Sequence, residues 1–127
     1  MTAAKRVLVI DDEDDIRAVA QIGLEIVANW RVITASSGNE GILKAKAEQP
    51  DAILLDVMMP EMDGPMTFHS LQEDPVTQHI PVLLLTAKVQ PADRRRLADL
   101  GVTGVIAKPF DPLKLSEEMI RLLGWNS

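Results

Sequence analysis

Asp11-Asp12, Asp56, Thr86-Ala87 and Lys108-Pro109 each close a short apolar run. If those runs are strands of one parallel sheet, three acids, a hydroxyl and an amine collect along a single edge. A carboxylate can attack phosphorus, an ammonium can neutralise the charge that develops, and a hydroxyl can bond a phosphoryl oxygen, so the set points to phosphoryl chemistry on a carboxylate.

The elements needed to place these groups are legible in the apolar pattern. Arg6 to Ile10 is a β-branched run without polar alternation, as suits a strand buried on both faces. Ile16, Val19, Ala20, Leu24 and Val27 follow at helical spacing, predicting a helix from Asp12 or a close neighbour to about Asn29. Arg31 to Ala35 is a second strand, and Ser36 or Ser37 can cap a helix from Gly38 to Glu48. Ala52 to Leu55 gives a third strand, after which Pro60 and Gly64 force a loop before a helix from Pro65 to Glu73. Val82 to Leu85 is the fourth strand, with Pro91 opening a helix to about Leu100. Val102 to Ala107 is the fifth, and Asp111-Pro112 is read as the cap of a last helix ending near Leu123-Gly124. Five strands alternating with five helices make an α/β chain with a parallel sheet covered on both faces, whose ligands gather beyond the carboxyl ends of the strands.

Composition narrows the classes. The 127 residues fit one domain, and a 46% hydrophobic, 25% charged composition argues for a folded, soluble chain. Cysteine is absent, which excludes disulfides and thiolate metal sites and agrees with a cytoplasmic location. No apolar run approaches the roughly 20 residues that span a bilayer, so membrane insertion is not expected. A net charge of −6 argues against direct nucleic-acid binding, and Arg94-Arg95-Arg96, flanked by Asp93 and Asp99, reads as a solvated helix face.

The acid pair at 11–12, the run Asp56-Val57-Met58-Met59-Pro60-Glu61-Met62-Asp63-Gly64, then Thr86-Ala87 and Lys108-Pro109-Phe110, resemble the receiver domain of two-component response regulators. The resemblance covers essentially the whole chain. It implies a flavodoxin-like, doubly wound sheet of order 2-1-3-4-5, and a phosphoryl group accepted on Asp56 from a histidine kinase or phosphotransfer protein with Mg2+ (or Mn2+). It also implies a signalling phosphoacceptor that assists its own phosphorylation and dephosphorylation, not an enzyme in the usual sense.

Charge balance agrees. Three carboxylates about 5 Å apart repel by roughly 3 kcal/mol per pair at an effective dielectric near 20. Lys108 offsets one charge, and a divalent cation matches the remaining two. The expected ligands are Asp12, Asp56 and the backbone carbonyl of Met58, with Asp11 acting through water. Thr86, Ala87 and Lys108 are the expected phosphoryl-contacting and switching groups, and Lys-Pro after a buried strand raises a cis bond before Pro109.

The pattern also departs from the family. Val105 stands three positions before the lysine, where receivers often carry an aromatic switch residue. Met58 and Lys88, two beyond Asp56 and Thr86, flank the route of an attacking water and are expected to slow phosphoryl loss relative to a polar-acidic pair. The chain closes soon after the fifth helix, so a stand-alone receiver, monomer or weak dimer, without an output domain is expected. It would signal through a protein target on the face of the fourth helix, fifth strand and fifth helix, including Lys88, Arg94, Val105 and Lys114. Other readings are a docking module of receiver fold that needs no phosphate, and an aspartyl-nucleophile phosphatase. The phosphatase would usually want a second acid at Met58. A flavin carrier of the same fold would want a Ser, Thr and Gly loop where this chain has Asp-Asp-Glu-Asp-Asp, which repels phosphate.

Overall fold

The computed structural model describes residues 4–87 and 90–126. Five strands, β1 (Arg6–Ile10), β2 (Arg31–Ala35), β3 (Ala52–Asp56), β4 (Val82–Thr86) and β5 (Gly104–Ala107), pair in parallel in the order β2-β1-β3-β4-β5. The helices between and after them are α1 (Asp14–Ala28), α2 (Gly38–Glu48), α3 (Gly64–Glu73), α4 (Pro91–Ala98) and α5 (Leu115–Leu123).

Strand period explains how one sheet makes two cores. Leu8, Ile10, Ile53, Leu55 and Leu84 point to one face, where they meet Ala45 of α2 and Phe68 and Leu71 of α3. Their neighbours Val7, Val9, Leu54, Leu83 and Leu85 point to the other, against Ala20 and Leu24 of α1 and Leu115 and Met119 of α5. β3 and β4 are buried along their whole length, which is why they read as unbroken apolar runs.

α1 begins at Asp14, a close neighbour of Asp12 as the spacing allowed, after the Asp11 Oδ1 has accepted the Glu13 N–H at 2.9 Å. Several boundaries differ from the sequence reading. Asp111-Pro112 does not cap α5. Asp111 Oδ1 accepts the Leu113 N–H and its carbonyl accepts the Lys114 N–H, forming a separate turn, and the helix starts at Leu115. β5 starts at Gly104, since Thr103 still bonds the Val82 carbonyl from outside the strand. α4 ends at Ala98, and the chain reaches Gly101 through a turn. Ser37 caps α2 as expected, its side chain accepting the Glu40 N–H while Glu40 Oε1 accepts from Ser36. Trp30 and Trp125, beyond the ends of α1 and α5, meet edge to face at 5.4 Å.

Candidate functional site

The sheet brings the chemical groups to one edge. Asp11 and Asp12 follow β1, Asp56 is the last residue of β3, Thr86 the last of β4, and Lys108 follows β5. Backbone bonds fix these ends to one another: Val57 N–H to Leu85 O at 3.0 Å, and Lys108 N–H to Thr86 O at 2.8 Å. The Lys108-Pro109 peptide is cis.

Asp11 and Asp56 are buried, at 0% and 2% exposure, and Asp12 faces solvent. One carboxylate oxygen from each of Asp11, Asp12 and Asp56 lies within 4.8 Å of the others. Lys108 Nζ reaches Asp56 Oδ1 at 2.9 Å and Asp11 Oδ2 at 3.1 Å, so a single ammonium spans the two buried acids. Among the described residues, Asp56 Oδ2 is buried without a hydrogen-bond partner, and Asp11 Oδ2 has its ion pair with Lys108 but no bond of good geometry. Burial pushes the Asp56 carboxyl up to about 6; the Lys108 hydrogen bond opposes this, and the charges of Asp11 and Asp12 add to it. Burial pulls the Lys108 ammonium down, yet its bonds to Asp56 and Asp11 together hold it above its ordinary value.

A buried carboxylate oxygen left unpaired is costly, and a divalent cation removes that cost. The donors are all oxygens, as magnesium or manganese prefers. Asp11, Asp12 and Asp56 could hold such an ion. Met58, 64% exposed, could add only its backbone carbonyl, because a thioether is a poor donor to a hard cation.

The other expected residues are placed as follows. Thr86 is buried at the edge beside Asp56, and Ala87 is exposed next to it. Val105 packs half-buried against the α2–α3 core cluster. Arg94, Lys114 and Pro109 are exposed, and no residue of α4 is buried. Lys88 lies outside the described residues.

The steric role of Gly64 and the whole contribution of Arg17 escaped the sequence reading. Gly64 lets α3 start against the end of β3, since a Cβ there would sit 2.6 Å from the Asp56 carbonyl oxygen. Arg17 donates through Nη1 to the Asp11 carbonyl at 2.6 Å and pairs through Nη2 with Asp14. Its signal was present: it is the one cation among residues 11–17, which hold five acids, and it lies three residues after Asp14.

A parallel sheet of this order, with acids at β1 and β3, threonine at β4 and lysine at β5, defines the receiver class. The family model described as "Response regulator receiver domain" matches residues 7–120, and the chain belongs to that family. The family is a phosphoacceptor signalling module, and response regulators interact with histidine kinases or phosphotransfer proteins. The chain is similar to the alkaline phosphatase synthesis transcriptional regulatory protein PhoP of Bacillus subtilis, 38% identical over 119 residues, covering 94% of this chain and 48% of PhoP. It is 40% identical over 112 residues to the response regulator PleD of Caulobacter vibrioides, covering 87% of this chain and 24% of PleD. The chain thus spans half or less of the length of these relatives. Among solved structures it resembles Vibrio cholerae chemotaxis protein CheY4, with a TM-score of 0.87 at 31% identity, covering 94% of this chain and 99% of that one. No helix among the described residues is long and apolar enough to cross a membrane.

Proposed function

We propose that Asp56 is the phosphoacceptor of this receiver and takes a phosphoryl group from a phosphohistidine on a histidine kinase or phosphotransfer protein. One bond forms between a carboxylate oxygen of Asp56 and phosphorus. The phosphorus–nitrogen bond breaks, and its electron pair leaves with the donor imidazole. The observation that carries this reading is the state of Asp56: a carboxylate buried at the sheet edge, with one oxygen bonded to Lys108 at 2.9 Å and the other unpartnered among the described residues, beside two more acids.

With its carboxyl titrating at about 6, Asp56 is mostly ionised at neutral pH and needs no general base. Lys108 holds the carboxylate and is placed to neutralise charge on the incoming group. A magnesium ion held by Asp11, Asp12, Asp56 and the Met58 carbonyl would supply the two positive charges that let anionic donor and acceptor approach. Phosphorylation adds about one net negative charge at the sheet edge. Thr86 and Ala87, at the end of β4, are the groups that respond, and α4, β5 and α5 carry the change to a protein target through Arg94, Val105 and Lys114. Such coupling is worth on the order of 1–3 kcal/mol, so the signal is a population shift. The lack of cysteine suits a reducing, cytoplasmic setting.

Incubation with a small acyl phosphate and magnesium should load about one base-labile phosphoryl group per chain. Asp56→Asn and chelation should each abolish loading. Incorporation that persists in either case overturns the assignment.

A further inference from the structure

We propose that Arg17 is a positioning residue for the cation-binding acids, bracing the peptide that joins Asp11 to Asp12. This rests on the reading that the acid cluster holds a divalent cation. Arg17 Nη1 donates to the Asp11 carbonyl at 2.6 Å, and that carbonyl belongs to the Asp11–Asp12 peptide. The rest of Asp11 is fixed as well: its N–H bonds Ala35 O at 3.1 Å, and its Oδ1 accepts the Glu13 N–H at 2.9 Å. Asp12 is different. It is exposed, and its carboxylate accepts no hydrogen bond among the described residues, so the peptide behind it sets its direction.

The guanidinium is built in, with a side chain only 18% exposed, while its second partner Asp14 stands 90% exposed. A surface ion pair to so open a carboxylate contributes little stability. What the fork fixes is geometry: one prong ties the β1–α1 loop to the first turn of α1, and the other pairs with Asp14, the first residue of that helix. Residues that orient ligands from behind in this way typically change metal affinity by about 10–100-fold when removed.

Simple charge effects predict the opposite sign. A cation near a cation site repels its occupant, so deleting Arg17 for charge alone should tighten binding a few-fold, less at high salt. The sign of the change therefore separates bracing from electrostatics.

The test is manganese binding to the full chain by electron paramagnetic resonance, with wild type, Arg17→Ala and Arg17→Lys. Arg17→Ala is expected to bind manganese about 10-fold more weakly while its cation-free melting temperature stays within a few degrees. Arg17→Lys retains the charge and the aliphatic stem but loses the planar fork, so its expected loss is smaller, of the same sign, and geometric in origin. It also keeps the test open should the alanine variant fold poorly. With acyl phosphate as donor, the half-saturating magnesium concentration should rise in both variants, with the rate at saturating magnesium changing less than about threefold. Binding as tight as wild type or tighter in the variants overturns the brace. A wild-type chain that takes up no manganese overturns the cation reading beneath it.

Discussion

Asp56 illustrates how one residue can weaken a fold and serve its chemistry. Its carboxyl titrates at about 6 in the folded chain against an ordinary 3.8, chiefly because it is buried, with Lys108 opposing that shift and Asp11 and Asp12 reinforcing it. Between about pH 4 and 6 the folded chain therefore keeps a proton that the unfolded chain has released. Stability from this group is highest below that window, falls as pH rises through it, and stays low above. Asp56→Asn cannot ionise and escapes the loss. In chelator, its melting temperature should match wild type near pH 4 and exceed it by several degrees at pH 7, about 1–3 kcal/mol. A difference that does not change with pH would show that the Asp56 charge is not its source. At this scale the sequence was informative where polarity contradicted its surroundings. An acid after Ala52-Ile53-Leu54-Leu55 demands a reason, as does a lysine after Val105-Ile106-Ala107. Arg17 was not singled out, because a positive residue on an acidic helix start looks like ordinary solvated charge until its two partners are seen.

Elements matter here through how closely their ends approach. α3 begins with its first residue against the end of β3: a Cβ on Gly64 would lie 2.6 Å from the Asp56 carbonyl oxygen and 2.8 Å from Val57 Cα. Both neighbours are backbone, so neither can turn aside. Gly101 offers a contrast, since its φ is 99° and a Cβ added there would meet nothing within 4 Å. Gly64→Ala should cost about 2–3 kcal/mol in urea unfolding and also slow magnesium-dependent phosphoryl loading at least 10-fold, because it displaces the strand end carrying Asp56. Gly101→Ala should cost about 1–2 kcal/mol for its backbone conformation and leave loading intact. Equal loading rates in the two variants would refute the steric role given to Gly64. The sequence could mark Gly64 as special but not say why. The loop before α3 takes its left-handed residue at Glu61, φ 65°, so Gly64 is required for proximity, not for a turn. The same limit explains α5: Asp111-Pro112 has the chemistry of a helix cap, and Asp111 spends it on a turn one step earlier.

Across the whole molecule, the site and the stability are linked through the sheet. β1, β3 and β4 each supply side chains to both apolar clusters, so neither face can come apart without the other. The alternation of strands and helices made the parallel sheet legible from sequence, whereas its order rested on resemblance, because periodicity carries no information about which strands are neighbours. Three clustered acids, only two of them paired with the one lysine, leave an excess of negative charge at the carboxyl edge of this sheet, in a chain whose net charge is already −6. A cation bound there stabilises the folded state alone, by about 2.7 kcal/mol at 100 times its dissociation constant. Asp12→Asn is the discriminating variant, because Asp12 is exposed and its replacement leaves both clusters intact. At matched ionic strength, magnesium chloride should raise the wild-type melting temperature by several degrees over sodium chloride, and the rise should largely vanish in Asp12→Asn. The urea m-value should be the same in both chains, since the surface exposed on unfolding is unchanged. If both melt higher by the same amount, magnesium is screening surface charge and the acid cluster is not its site.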